Sequence, residues 1–96
     1  VQGWLQAAQQ QYASAQAVRD EALRSASFGA MTLMHAAQAL GLASCAMTGF
    51  DAEGVAASFG LASEEVPVML VTVGRAAPGN WPQKPRRPLD QVLEFA

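Results

Sequence analysis

The sequence contains very few of the residues that build catalytic and metal centres. Among its 96 residues there are one cysteine, one histidine and one tyrosine. The single cysteine, Cys45, excludes an internal disulfide and is typical of a reducing compartment, so we expect a cytoplasmic protein. His35 has no second histidine with which to complete a metal site or a catalytic dyad, and we expect it in a core or an interface. The sequence therefore predicts no metal ion and no catalytic side chain.

Charge is also scarce. Only 15% of the residues are charged, the formal net charge is −2, and 51% of the residues are apolar. No field of positive charge attracts nucleic acid, so we expect no nucleic-acid partner. The apolar residues 28–47 are interrupted by Thr32, His35, Gln38 and Gly41, which argues against a membrane span. In so short a chain, this apolar share predicts that a partner subunit, another part of the domain or a flat cofactor covers some of the surface.

The most helix-favouring segment is residues 16–40, which contain no proline and are rich in alanine, leucine, methionine and glutamine. Ser14 is a candidate N-cap, and Gly41 is placed to end the helix. No charged residue occurs from residue 28 to residue 40. Because a helix that is apolar on every side is buried on every side, we expect residues 28–40 to lie in the seam of a homodimer. Residues 1–15 predict a separate, peripheral helix.

Two short apolar segments predict strands. Residues 44–48 follow the long helix, and residues 68–73 are a continuous run of β-favouring residues, typical of a strand buried on both faces. Between them, Asp51 is a good N-cap for a helix over residues 52–58. Residues 16–74 therefore predict a core of helix, strand, helix and strand, and the fold class is α+β.

The chain changes character at residues 75–88, which hold four of the five prolines. We expect an extended arm without regular structure, followed by a terminal segment, 89–96, that contains a helical turn, a strand, or one after the other. Side chains alternate along an extended chain, so Lys84 and Arg86 point the same way and suit a phosphate group. A solvated basic arm, or a contact with an acidic partner, explains the same residues.

Thr48-Gly49 forms the break between the first predicted strand and the helix that Asp51 starts. A glycine there lets the backbone come close to a ligand, and a helix start just beyond it favours a flat or anionic one. A plain strand–turn–helix connection accounts for the same residues.

Two segments in this order resemble the C-terminal half of the nitroreductase family of flavin oxidoreductases. The first is Ala-Leu-Gly-Leu-x-Ser-Cys-x-Met-x-Gly-Phe-Asp at residues 39–51, and the second is Lys-Pro-Arg-Arg-Pro-Leu at residues 84–89. The resemblance extends over about residues 18–95 in one unbroken order.

The resemblance implies a long central helix, short strands of an antiparallel sheet and an extended C-terminal arm. It implies a homodimer that binds FMN between its subunits and passes hydride from NAD(P)H through the flavin to nitroaromatics, quinones or similar acceptors. Met47, Thr48 and Gly49 match the segment beside the flavin ring. Lys84 and Arg86 match the basic pair that holds the FMN phosphate.

The family's N-terminal half, with an Arg-Ser-x-Arg type motif and a flavin-contacting asparagine, has no counterpart in these 96 residues. We therefore expect residues 1–96 to be the C-terminal portion of one nitroreductase-like domain of a larger flavoprotein, and to be inactive alone. Two alternatives stay open. One is a non-catalytic helical fragment that self-associates through residues 28–40, and the other is a flavin-binding protein without turnover.

Overall fold

The computed structural model describes residues 1–96 as three α-helices and a two-stranded antiparallel sheet, which confirms the α+β class. In chain order the elements are α1 (Gln2–Gln11), α2 (Ala15–Ala39), β1 (Ala43–Met47), α3 (Ala52–Phe59), β2 (Leu70–Gly74) and a 3-10 turn at Leu89–Gln91. The arm over residues 75–88 contains no helix or strand, as predicted.

Both ends of α2 are fixed by local hydrogen bonds. At the start, the Ser14 hydroxyl oxygen accepts a hydrogen bond from the Ala17 N–H at 3.1 Å, which confirms the predicted N-cap. At the end, Gly41 has φ +74°, and the Leu42 N–H donates back to the Ala37 carbonyl at 2.9 Å. This is a Schellman motif, and it sets the direction in which the chain leaves α2 to form β1.

β1 and β2 pair in an antiparallel register that places Met47 opposite Leu70 and Ala43 opposite Gly74. α2 packs against both strands. β1 therefore begins and ends one residue earlier than predicted, so Thr48 lies outside it, and Val68 and Met69 lie outside β2. The reason is that β1 ends at Met47 and offers these two residues no partner. Each strand also keeps one unpaired edge.

The folded chain buries very little of its surface. Ala37, at 5% exposure, is the single buried residue, and Phe28 is 73% exposed. The accessible surface is 8612 Å², whereas a compact monomer of this mass exposes about 5300 Å². The radius of gyration is 18.3 Å, against about 12.5 Å for a compact 96-residue domain. The predicted burial of residues 68–73 on both faces is wrong, because α2 and one neighbouring strand cover too little of them. Residues 28–40 are mostly exposed in the single chain, and their predicted place in a dimer seam stays a prediction.

The charged residues of α2 lie within its first ten residues. Arg24 Nε donates to Glu21 Oε2 at 3.1 Å, and this is the one ion pair of the chain. Both side chains are solvent-exposed, so the pair contributes little to stability. No helix combines the length and the apolar character that crossing a lipid bilayer demands.

The positive φ at Gly41 predicts opposite effects for two glycine-to-alanine substitutions in the same region. At both Gly41 and Gly29 an added Cβ meets open space, so the backbone angle is what separates them. Gly41→Ala forces an L-residue into the left-handed region and is expected to lower the free energy of unfolding by about 1–2 kcal/mol. Gly29→Ala, inside α2, is expected to raise it by about 0.5–1 kcal/mol.

Urea denaturation followed by far-UV circular dichroism measures both changes. If both substitutions change the free energy of unfolding by the same amount, the connection between α2 and β1 does not depend on the positive φ of Gly41.

Candidate functional site

The turn after β1 exposes two backbone donors. Thr48 and Gly49 are solvent-exposed, and neither backbone N–H donates a hydrogen bond within the chain. Gly49 has φ +80°, and no heavy atom lies within 4 Å of the position that a Cβ would take there. A ligand can therefore approach this backbone closely and satisfy both N–H groups.

The far side of this turn is held by the start of α3. The Asp51 carboxylate accepts a hydrogen bond from the Gly54 N–H at 3.1 Å, which confirms Asp51 as the N-cap. A Cβ at position 54 would lie 2.5 Å from Asp51 Oδ2, so a side chain there would push the carboxylate out of its capping position. The turn is thus anchored at one end by β1, through Met47, and at the other by Asp51.

The arm presents cations without acidic partners. Lys84, Arg86 and Arg87 are exposed, and none of them forms an ion pair. With its amide oxygen turned towards Arg86, Gln83 accepts hydrogen bonds from Nε at 3.3 Å and Nη2 at 3.0 Å. These bonds leave the other guanidinium donors free. Lys84 and Arg86 therefore keep the charge and the donors that an anion requires.

The turn and the arm start from opposite ends of the sheet. Met47 ends β1 beside Leu70, whereas the arm leaves β2 after Gly74, beside Ala43. Four residues of strand separate these ends by about 14 Å. The ten residues from Gly74 to Lys84 can span about 33 Å, so the arm is long enough to return to the turn.

The structure does not bring these two groups together in any of its four main clefts. Met47, Thr48, Gly49, Lys84 and Arg86 line none of these clefts. Convergence of the turn and the arm on one ligand therefore stays a prediction.

A cleft that the sequence analysis missed lies at the other end of the sheet. It has a volume of 470 Å³, and its walls include Cys45, Arg75 and Asn80. The signal in the sequence is the Pro78-Gly79 turn that follows β2 and brings Asn80 back towards the sheet. A further cleft of 410 Å³ holds His35 beside Met31 and Met34. No group of three or more histidine, cysteine, aspartate or glutamate side chains is placed to hold a metal ion.

Comparison with known proteins places the chain among the nitroreductases. The model of the Nitroreductase family matches residues 4–75. The match contains Met47, Thr48 and Gly49, and it ends before Lys84 and Arg86. It also starts earlier than the resemblance seen in the sequence and takes in most of α1.

Individual relatives agree with the family model. The chain is 43% identical over 82 residues to YodC of Bacillus subtilis, a protein named as an NAD(P)H nitroreductase, over 84% of this chain and 40% of YodC. It is 36% identical over 78 residues to MhqN of the same organism, which carries the same kind of name, over 80% of this chain and 38% of MhqN.

A solved structure shows that the fold agrees as well. The crystal structure of YdfN from Bacillus subtilis, described as a nitroreductase, superposes with a TM-score of 0.76 at 39% sequence identity. The superposition covers 81% of this chain and 38% of YdfN. The chain thus spans about two fifths of the length of the relatives it matches, and over that part it belongs to the nitroreductase family.

Proposed function

We propose that this chain forms part of an FMN-dependent oxidoreductase that passes hydride from NAD(P)H through the flavin to nitroaromatics, quinones or similar small acceptors. Membership of the family and the names of its relatives support this activity. The observation that carries the proposal lies inside the matched segment, where Thr48 and Gly49 offer two exposed N–H groups with no partner in the chain.

The available donors fit the two ends of an FMN molecule. The isoalloxazine ring is flat and accepts hydrogen bonds at its edge, and the open space beside Gly49 leaves room for it to approach the backbone donors. The phosphate is an anion, and Lys84 and Arg86 are cations without acidic partners. Lysine supplies a point charge and arginine a planar pair of donors, a combination that suits phosphate.

In this proposal the flavin supplies the hydride chemistry, and the protein binds and orients it. The N–H groups of Thr48 and Gly49 hold the ring edge and stabilise negative charge there. Met47, as the last residue of β1, fixes where the turn begins. Lys84 and Arg86 hold the phosphate. No side chain of this chain acts as a general acid or base.

The proposal includes a homodimer formed through residues 28–40, because this uncharged stretch is mostly exposed in the single chain, with Ala37 alone buried. The single, exposed Cys45 favours a reducing compartment, so we place the protein in the cytoplasm. The exposed apolar surface also favours a second candidate, a chain that self-associates through residues 28–40 without catalysis. A flavin-binding protein without turnover is the third.

Loss of the two arm cations should release FMN. In a chimera in which this chain replaces the matched segment of YodC, Lys84→Gln with Arg86→Gln removes two charge-assisted hydrogen bonds and should weaken FMN binding roughly 100-fold. Arg87→Gln is the matched control, because an extended chain points residue 87 the other way. Quenching of flavin fluorescence measures the dissociation constants, and the 96-residue chain alone should bind FMN weakly or not at all.

Several outcomes would count against the proposal. A chimera that stays colourless and gains no bound flavin when FMN is added contradicts it. Equal losses for the Arg87 variant and for the double variant would show that the arm contributes only general positive charge. A yellow chimera that does not oxidise NADH or NADPH would favour the flavin-binding protein without turnover.

The dimer seam can be tested with two phenylalanines of almost equal exposure. Phe28 is 73% exposed on α2 and Phe59 is 74% exposed on α3. Phe28→Glu places a charge in the proposed seam and should weaken self-association at least tenfold, because a buried unpaired carboxylate is costly, while Phe59→Glu should leave it unchanged. Sedimentation velocity over a series of protein concentrations measures both. A purely monomeric wild-type chain, or equal effects of the two variants, would contradict the seam.

A further inference from the structure

His35 is the one residue in the uncharged stretch of α2 whose side chain can acquire a charge. No aspartate, glutamate, lysine or arginine occurs between Arg24 and Asp51, and residues 28–40 lie inside that interval. Histidine is the side chain that changes its charge between about pH 5 and pH 8. We propose that self-association of this chain through residues 28–40 is controlled by pH, because the seam accepts His35 when it is neutral and excludes it when it is protonated.

His35 lies on the side of α2 that faces away from the sheet. Within residues 28–40 only Ala30, Met34 and Ala37 are not exposed, and their spacing places them on the side that packs against β1 and β2. His35 and Phe28 are both exposed, and they lie seven residues, or about two turns, apart on the other side of the helix. A second copy that covers Phe28 therefore covers His35 as well.

A homodimer brings two copies of this histidine into one seam. The commonest dimer symmetry is a two-fold axis, which places the same patch of each subunit on both sides of the interface. His35 lies next to the middle of residues 28–40, so two helices that cross there bring their imidazoles close to the axis and to each other. Protonation then places two like charges in an apolar seam, at a cost in desolvation and in repulsion.

No acidic group is placed to compensate this charge. α2 packs against β1 and β2, where the thiol of Cys45 is the one titratable group, and Cys45 lines a different cleft. Along the chain, the nearest carboxylates are those of Glu21, about 21 Å away along α2, and Asp51, which caps α3. The residues that share a cleft with His35 are all uncharged: Met31, Met34, Gln38, Leu42, Ala43 and Ser44.

The direction of the pH effect follows from proton binding. The separated chains bind a proton at His35 more readily than the dimer does, because the apolar seam disfavours the charged form. Acid therefore favours the separated chains, and association weakens as the pH falls through the range in which histidine becomes charged. This inference rests on the dimer seam of the proposed function, and it does not depend on flavin binding.

Sedimentation velocity over a series of protein concentrations, at about pH 7.5 and at about pH 5.5, measures the effect. The dissociation constant of the wild-type dimer should rise at least tenfold at the lower pH. His35→Gln stays neutral and should associate equally at both pH values. His35→Lys is charged at both and should associate at least tenfold more weakly than the wild type at the higher pH. Far-UV circular dichroism of each chain at both pH values separates a loss of association from a loss of helix.

Three results would overturn the proposal. The first is a wild-type dimer with the same dissociation constant at both pH values, which leaves the seam itself standing. The second is acid dissociation that persists in His35→Gln or accompanies a loss of helix, because His35 would then not be its cause. The third is a wild-type chain that is monomeric at about pH 7.5, which contradicts the seam together with its control by pH, so the two failures are distinguishable.

Discussion

The packing of α2 against the paired strands is the interaction on which the rest of this structure depends. The Schellman motif at Gly41 turns the chain from the helix into β1, so that the sheet lies against α2. β1 in turn positions the Thr48-Gly49 turn, and β2 sets the point from which the arm leaves. The turn and the start of the arm are therefore placed relative to this one helix, although Ala37 of α2 is the single buried residue of the chain.

This chain buries only a small part of its apolar surface. Hydrophobic burial is the main favourable term in folding, and this chain buries far less than a compact domain of its size. The two open sheet edges and the exposed, uncharged residues 28–40 are parts of the same deficit in buried surface. The relatives are more than twice as long as the segment that they share with this chain.

Local signals in the sequence predicted the elements well. Ser14, Gly41 and Asp51 act through hydrogen bonds or backbone angles that involve only nearby residues, so their roles could be inferred before any tertiary contact was known. The strand limits were less accurate, because the end of β1 decides which members of the 68–73 segment find a partner.

Tertiary properties of the site could not be predicted in the same way. Apolar composition indicated that residues 28–40 need cover from beyond this chain, and the single chain leaves most of them exposed, yet composition does not identify the surface that covers them. The spacing of Lys84 and Arg86 predicts two cations on one side of an extended arm, whereas the direction of that arm depends on contacts that the sequence does not encode locally. The cleft beside Arg75 and Asn80 depends on the return of the chain after the Pro78-Gly79 turn.

Hydrogen exchange along α2 tests the central claim most directly, because backbone protection reports how firmly a helix is held. The account predicts weak protection of α2 in the isolated chain at concentrations where it is monomeric. It predicts strong protection of residues 28–40 once the YodC portion is joined to the chain. Strong protection of α2 in a dilute monomer would contradict the account.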